Sequence, residues 1–250
     1  MNRKKIPPVP ELYNQISKNK LHKNTAFTYE LWYSRFLGRR FSIFLTWALL
    51  HTNVTPNAIT LFCMIPAVAG LLIMAYPSIA AALIGFFIFH IYIVADSSDG
   101  EIARFRKQTS IFGTYLDSIL HIVIYSALYI SLGLNIYLRT SSHWFLILGC
   151  FTALLYSIAS FIHHNDPVTK EKSYLELRHE DNKLFFYAIN VYNFLTGDFN
   201  IALALLILAP LQYLNILQFD IFKLILWMNF ILVLLGGIIF NLYKKIKIAI

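Results

Sequence analysis

The sequence predicts an all-α, polytopic membrane protein with six transmembrane helices preceded by an interfacial amphipathic helix. Of its 250 residues, 58% are apolar and only 14% are charged, whereas about a quarter of the residues in soluble domains are charged. No Asp, Glu, Lys or Arg occurs from Phe41 to Ala95. A soluble domain would expose part of that stretch to water. The mean hydropathy of +0.59 therefore indicates a bilayer environment, in which each span needs roughly 20 apolar residues.

The first 40 residues are predicted to form a cytoplasmic basic arm and the start of the interfacial helix, and residues 41–250 the six-helix membrane domain. Polar and basic residues with three prolines make up most of residues 1–28. This composition is typical of a mobile or loosely docked arm. From Tyr29 to about Leu50, aromatic side chains are interleaved with arginines. Such a mixture suits a helix that lies at the bilayer surface.

A helix break is predicted at residues 51–60, between the interfacial helix and the first span. Pro56 disfavours helical backbone at Thr55. The side chain of Thr55 or of Asn57 can then cap the helix that follows, because a hydroxyl or amide oxygen accepts hydrogen bonds from free N–H groups at a helix start. The first transmembrane helix is therefore expected to begin at this proline.

Short polar turns and one longer polar loop, residues 163–183, separate the remaining spans. Residues 184–195 fit either the start of a fifth span or an interfacial segment. We favour the segment, because Asp198 would otherwise lie near mid-bilayer, where an acidic side chain is costly. The six predicted spans cover residues 57–76, 79–103, 111–138, 143–164, 198–215 and 219–243.

The distribution of basic residues predicts the orientation in the membrane. With six spans, the arm, the turn after the second span, the polar loop and the C-terminal tail share one side. That side carries all but two of the 21 Lys and Arg residues, the exceptions being Arg139 and Lys223. The positive-inside rule places it in the cytoplasm, with both termini. The net charge of +8 does not indicate nucleic-acid binding, because the basic residues lie between apolar spans instead of along one solvated face.

Acidic and small residues form two helical stripes where the second span ends and the third begins. Helical spacing places the members of each stripe on one face, near the cytoplasmic end of its span. A tight reversal between the two spans would set the stripes against each other. The stripe on the second span consists of Asp96, Asp99, Gly100 and Ala103, and that on the third of Gly113, Asp117 and His121.

Three facing carboxylates at a membrane boundary would repel one another unless a cation lay between them. Carboxylate oxygens are hard ligands that suit Mg²⁺ or Mn²⁺, and Mg²⁺ commonly bridges to substrate phosphates. Glycines allow a ligand or an opposing backbone to approach closely, and Arg104 can bind phosphate oxygens with its forked guanidinium. Alternatively, the acids merely pair with Arg104, Arg106 and Lys107 at an interfacial turn, but such a turn would need one or two carboxylates and not two registered stripes.

Residues 96–121 resemble the signature of the CDP-alcohol phosphatidyltransferase family, D-x2-D-G-x2-A-R-x8-G-x3-D-x3-D. Every signature position matches except the last, where His121 replaces an aspartate. The resemblance implies six transmembrane helices after an interfacial helix, usually in a homodimer, and a site with two Mg²⁺ or Mn²⁺ ions. It also implies roles for the matched residues. Asp96, Asp99 and Asp117 would bind metal, and Gly100, Ala103, Arg104 and Gly113 would shape the pocket for the CDP-linked donor.

His121 stands where the family has the aspartate usually assigned as the base that deprotonates the acceptor. A neutral imidazole can accept a proton near pH 7, so base catalysis can survive the replacement. The imidazole brings no negative charge, however, and is a softer ligand than Mg²⁺ favours. Three interpretations stay open: a replacement base, which we favour, a weakened or different metal site, and a catalytically inactive homologue.

The expected function is metal-dependent transfer of a phosphoalcohol, phosphatidyl-type group from a CDP-linked donor to an alcohol acceptor, with release of CMP, as in phospholipid synthesis. Glycerol phosphate, inositol phosphate, serine and diacylglycerol are all compatible acceptors. The alternatives are a non-catalytic homologue that keeps the fold and a small membrane transporter. Acids in a transporter should lie near mid-membrane, often at broken helices in repeated halves. Here they cluster at one boundary and no repeat is visible in the sequence.

Overall fold

The computed structural model describes residues 6–21, 39–164, 209–214, 216, 217 and 219–235, and every regular element in those ranges is helical. Four of the helices, α3 to α6, are long and apolar enough to cross a bilayer. The all-α membrane fold class is therefore confirmed. The helices are α1 Val9–Leu21, α2 Arg39–Leu50, α3 Pro56–Ala75, α4 Ile79–Arg106, α5 Ile111–Thr140, α6 His143–His164, α7 Ala209–Tyr213 and α8 Ile221–Leu232.

Helices α3 to α6 match the first four predicted spans to within three residues at each end. The predicted fifth and sixth spans are described only in part, by α7 and α8. The count of six spans therefore stays a prediction. The other predicted parts that lie outside the described residues are parts of the basic arm, the first half of the interfacial helix, most of the polar loop, the segment 184–195, the start of the fifth span with Asp198 and the C-terminal tail.

The predicted break before the first span is present, and its cap is Thr55. The Thr55 hydroxyl accepts a hydrogen bond from the backbone N–H of Ala58 at 3.3 Å. Pro56 is the first residue of α3, a position where a missing N–H costs nothing because that group has no helical partner. Proline and threonine thus fix the start of α3 locally.

Helices α4 and α5 are joined by a tight turn at residues 107–110. Lys107 adopts a left-handed conformation with φ of 57°, and its N–H bonds to the carbonyl oxygens of Ala103 and Arg104. Ser110 caps α5, its hydroxyl accepting from the Gly113 N–H at 2.9 Å. The last turn of α4 therefore lies close to the first turns of α5, as the predicted reversal requires.

Helix α1 lies within the segment that was predicted to be a mobile or loosely docked arm. Leu12 is fully buried, at 0% exposure, and Val9 and Ile16 pack against the same core. These three positions follow the helical spacing i, i+3, i+7. The sequence did not predict this narrow apolar stripe, because most residues of the arm are polar. The stripe docks α1 on the protein.

Paired glycines allow close backbone contacts between neighbouring helices in the described part of the bundle. Gly70 of α3 lies against Gly85 of α4, and Gly133 of α5 lies against Gly149 of α6. A Cβ atom added to Gly85 would lie 2.5 Å from the Gly70 carbonyl oxygen and 2.5 Å from the backbone nitrogen of Met74. Small residues at such crossings let helix backbones touch, which is a common source of packing energy between helices in membranes.

The variant Gly85→Ala is expected to lower the melting temperature of the detergent-solubilised protein. Its methyl group would collide with backbone atoms, and overpacking of this kind typically costs about 1–3 kcal/mol. Thermal unfolding followed by tryptophan fluorescence measures the effect. The control is Ile84→Ala, because Ile84 is 54% exposed on the outside of the same helix. Equal melting temperatures for the two variants would show that the Gly70–Gly85 contact does not limit helix packing.

A polar network closes the end of the bundle opposite the acidic stripes. The Arg139 guanidinium pairs with the Asp220 carboxylate at 3.0 Å and donates to the Asn135 side-chain oxygen at 2.8 Å. Asn135 is fully buried, and its amide nitrogen donates to carbonyl oxygens at the α3–α4 turn, including that of Met74 at 3.0 Å. Lys223 lies over the ring of Phe145, 5.1 Å from its centroid. Both basic residues predicted for this side therefore have partners within the bundle.

Candidate metal centre

The three aspartates of the two predicted stripes converge. One carboxylate oxygen each from Asp96, Asp99 and Asp117 can be chosen so that all three lie within 4.8 Å of one another. Asp96 is half-buried, Asp99 is buried at 7% exposure and Asp117 is exposed. The convergence follows from the tight turn, because it brings the C-terminal part of α4 alongside the first turns of α5.

This cluster has the donor chemistry and spacing of a site for a hard divalent cation. Carboxylates so close together repel one another, and the repulsion grows as the effective dielectric constant falls toward the protein interior. Two oxygens that each ligate Mg²⁺ at about 2.1 Å lie no more than about 4.2 Å apart. The observed limit of 4.8 Å is close to this value, so small side-chain movements suffice to surround an ion. The three residues fit a divalent metal.

A third helix contributes to the cluster through Thr60, which the sequence reasoning missed. The Thr60 hydroxyl of α3 donates a hydrogen bond to the Asp99 carboxylate and is buried at 7% exposure. Its oxygen also lies 3.1 Å from the Pro56 carbonyl oxygen. Asn57 and Thr60 are three residues apart and so share a helix face. That spacing is a signal for a shared polar face, whereas residues 51–60 were used only to predict a helix break and its cap.

At both glycines of the stripes, another side chain lies close to the position that a Cβ atom would take. A Cβ atom at Gly113 would lie 2.9 Å from the Asn57 side-chain oxygen, and one at Gly100 would lie 3.1 Å from a terminal nitrogen of Arg104. Gly113 thus leaves room for Asn57 of α3, while Gly100 lets the exposed Arg104 side chain fold back over α4. Ala103 is half-buried on the same helix.

His121 lies one helical turn beyond Asp117 but is not one of the side chains that form the carboxylate cluster. It is half-buried, and its ring lies 4.3 Å from that of Tyr125, centroid to centroid. Tyr125 is itself buried at 5% exposure and contacts the rings of Phe89 and Tyr156 at 5.8 and 5.9 Å. The imidazole therefore lies between the carboxylates and an aromatic cluster in the bundle.

Arg106 binds backbone carbonyl groups and not the aspartates with which the alternative interpretation pairs it. Its guanidinium donates hydrogen bonds to carbonyl oxygens at the C-terminal end of α2 and in the following loop: to Thr52 at 2.7 Å, to Leu49 at 3.1 Å and to Val54. Carbonyl groups at a helix end have no helical partners. Arg106 therefore ties α4 to the end of α2.

Comparison with known proteins gives one family match. The family model described as CDP-alcohol phosphatidyltransferase matches residues 53–235, which include α3 to α8 and therefore all three aspartates and Thr60. A comparison with individual curated proteins gives no match. The matched range covers most of the chain.

Proposed function

The chain belongs to the CDP-alcohol phosphatidyltransferase family, and from that premise we propose that it transfers a phosphatidyl-type phosphoalcohol group from a CDP-linked donor to an alcohol acceptor, with release of CMP. The family comprises transferases of phospholipid synthesis and uses divalent metal ions. One observation carries the proposal: three carboxylates from α4 and α5 lie within 4.8 Å of one another, at the end of the bundle where the family signature falls. This is the arrangement that binding a metal–diphosphate unit requires.

We assign the metal-binding role to Asp96, Asp99 and Asp117, and the metal to two Mg²⁺ or Mn²⁺ ions. When bound, such ions would neutralise the donor diphosphate and make its phosphorus more electrophilic. The protein residues hold the carboxylates in place. The hydrogen bond from Thr60 orients the Asp99 carboxylate, and the tight turn at residues 107–110 holds Asp117 opposite it.

We assign the CDP-linked donor to the surface formed by Gly100, Ala103, Arg104 and Gly113. Arg104 is exposed, and its forked donors match a phosphate better than a single ammonium does. The glycines let two polar groups approach this surface, the Arg104 guanidinium beside Gly100 and the Asn57 amide beside Gly113. Asn57, which contacts the Gly113 position, lies at the edge of the same surface.

His121 is the proposed general base. A ring nitrogen of neutral His121 would accept the proton of the acceptor hydroxyl as its oxygen attacks phosphorus. A new phosphorus–oxygen bond forms, the bond from phosphorus to the CMP oxygen breaks, and CMP leaves. The ring of Tyr125, 4.3 Å away, restricts rotation of the imidazole. Positioning and electrostatics would supply most of the rate gain, as in other phosphoryl transfers.

We further propose that residues 1–40 are a cytoplasmic arm with the start of the interfacial helix, and that both termini and the metal centre face the cytoplasm of a multi-pass membrane protein. The positions of the basic residues along the sequence support this orientation. A homodimer in the lipid bilayer is the expected assembly, as the family resemblance implies, and nucleic acid is not an expected partner.

A non-catalytic homologue is the second candidate, and the histidine at position 121 favours it over a transporter. The carboxylate cluster lies at one end of α4 and α5, whereas the ion path of a transporter is expected near mid-membrane. The reason against catalysis is that His121 replaces the last aspartate of the signature.

The proposal predicts metal-dependent release of CMP by the purified protein. Detergent-solubilised wild-type protein would be incubated with CDP-diacylglycerol or soluble CDP-alcohols and a panel of alcohol acceptors, and CMP would be quantified by chromatography. We expect CMP release in Mg²⁺ or Mn²⁺ that requires both donor and acceptor and stops on addition of EDTA. No release across the whole panel from folded protein would favour the non-catalytic homologue.

A further inference from the structure

Glu101 is a buried carboxyl group on α4 that the proposed chemistry does not use. It is 4% exposed and accepts hydrogen bonds from two hydroxyls of α2: Ser42 at 3.1 Å and Thr46 at 2.7 Å. Both hydroxyl-bearing residues are fully buried. An ionisable side chain inside a membrane bundle is costly and needs such partners. The family signature leaves this position open, so the motif does not explain the glutamate.

Helix α2 turns its hydroxyls toward the protein and its aromatic side chains outward. Phe41 and Phe44 are 58% and 61% exposed, whereas Ser42 and Thr46 are at 0%. An amphipathic helix at a membrane surface would normally turn such hydroxyls to water. Their inward orientation indicates that polar contacts with Glu101, in addition to apolar packing, dock α2 on α4.

Two further contacts join the same parts of α2 and α4. The Ser98 hydroxyl lies 3.2 Å from the carbonyl oxygen of Ser42, and Arg106 binds carbonyl oxygens at the end of α2. These three hydrogen-bonding residues of α4 therefore lie on both sides of Asp99 in the sequence.

The opposite side of α4 is held by α3. Asp99 and Glu101 are two residues apart and point in directions about 200° apart around the helix. Asp99 accepts from Thr60 of α3, while Glu101 accepts from Ser42 and Thr46 of α2. Rotation of α4 about its axis would break one set of these hydrogen bonds. The carboxylate-bearing end of α4 is therefore fixed from both sides.

We propose that Glu101 is a positioning residue for the metal centre. Through Ser42 and Thr46 it fixes the rotation of α4, so that Asp96 and Asp99 face Asp117. Glu101 is not part of the carboxylate cluster, so it acts through the helix and not as a ligand. This inference rests on the proposed function, because it assigns Glu101 to the support of the proposed metal site.

Mn²⁺ binding to the purified full-length protein tests the inference without an activity assay. The electron paramagnetic resonance signal of free Mn²⁺ gives the dissociation constant. Glu101→Met has similar volume but removes both acceptors, and we expect it to weaken Mn²⁺ binding about 10–100-fold, the usual cost of losing a residue that supports metal ligands. Glu101→Gln keeps one acceptor and should show a smaller loss.

The matched control is Asp220→Leu, which removes a hydrogen-bonded carboxylate at the other end of the bundle. It should lower the melting temperature but leave the dissociation constant for Mn²⁺ at the wild-type value. The double variant S42A/T46V removes both donors and should weaken binding as Glu101→Met does. Adding Glu101→Met to that double variant should cause no further loss, because coupled residues are not additive.

Wild-type affinity in both Glu101→Met and S42A/T46V would overturn the inference, as would an equal loss of affinity in Asp220→Leu. If Glu101→Met does not fold, S42A/T46V decides alone. Failure of the proposed metal site is distinguishable, because the wild-type protein itself would then bind no Mn²⁺, and failure of the proposed activity is distinguishable, because the wild type would then release no CMP. Binding by the wild type with unchanged affinity in the variants overturns only the role of Glu101.

Discussion

Asp99→Asn is expected to lower metal-dependent CMP release by more than about 100-fold, since even residues that merely support metal ligands contribute about 10–100-fold. Asparagine has the shape of aspartate, and its side-chain oxygen can still accept the hydrogen bond from Thr60. What the variant loses is one negative charge and one hard carboxylate ligand at the most buried position of the cluster. The loss therefore reports on metal binding and not on packing.

Initial rates of CMP release and Mn²⁺ binding, measured on the same preparation, test this prediction. Thr60→Val is the informative companion, because it keeps the carboxylate and removes the hydroxyl that orients it. We expect Thr60→Val to fall between the wild type and Asp99→Asn in both measurements. A wild-type rate in Asp99→Asn would exclude Asp99 as a metal ligand.

His121→Ala is expected to slow CMP release by about 10²–10⁴-fold, the usual contribution of a general base. Affinity for Mn²⁺ and for the CDP-linked donor should remain, because His121 lies beside the carboxylate cluster and is not part of it. Steady-state rates with saturating metal and donor separate the chemical step from binding. A near-normal rate would dismiss His121 as the base.

His121→Asp separates the three interpretations of this position, because it restores the residue of the family signature. If His121 is the base, the wild type is active and the aspartate variant retains part of the rate. If the chain is an inactive homologue, only His121→Asp releases CMP. If the histidine weakens the metal site, His121→Asp raises Mn²⁺ affinity and rate together.

The sequence predicted those parts of the fold that depend on local signals. The charge-free stretch and the polar turns located α3 to α6 because a bilayer span needs a run of apolar residues. Helical periodicity placed the three aspartates on two facing stripes, and the short reversal between them left little freedom in how the stripes meet. Pro56 located the start of α3 and left Thr55 and Asn57 as candidate caps, and the structure shows Thr55 in that role.

The supporting contacts could not be predicted, because they join residues far apart in the sequence. A threonine in an apolar helix often bonds its own backbone one turn earlier, as Thr152 does to the Leu148 carbonyl oxygen at 2.7 Å. Thr46 and Thr60 bond carboxylates on α4, although the Thr60 hydroxyl also lies within reach of the Pro56 carbonyl oxygen one turn earlier. Nothing local distinguishes these cases, so Glu101 and its partners emerged only from the tertiary structure.

The sequence also did not predict which helices cross at their glycines. Glycines in apolar helices indicate close approach of some neighbour, but the sequence does not state which one. The partner of Gly70 is Gly85, and the partner of Gly133 is Gly149. Each pairing depends on the relative height of two helices, which is set by the lengths of the turns between them and by packing along the whole contact.

Anomalous diffraction from crystals grown with Mn²⁺ tests the metal centre most directly. Data collected at the manganese absorption edge locate the ion independently of any assumed ligand. We expect anomalous density enclosed by the carboxylates of Asp96, Asp99 and Asp117, on the side of α4 that faces Thr60. Manganese bound elsewhere, with these three side chains turned apart or toward lipid, would contradict the account.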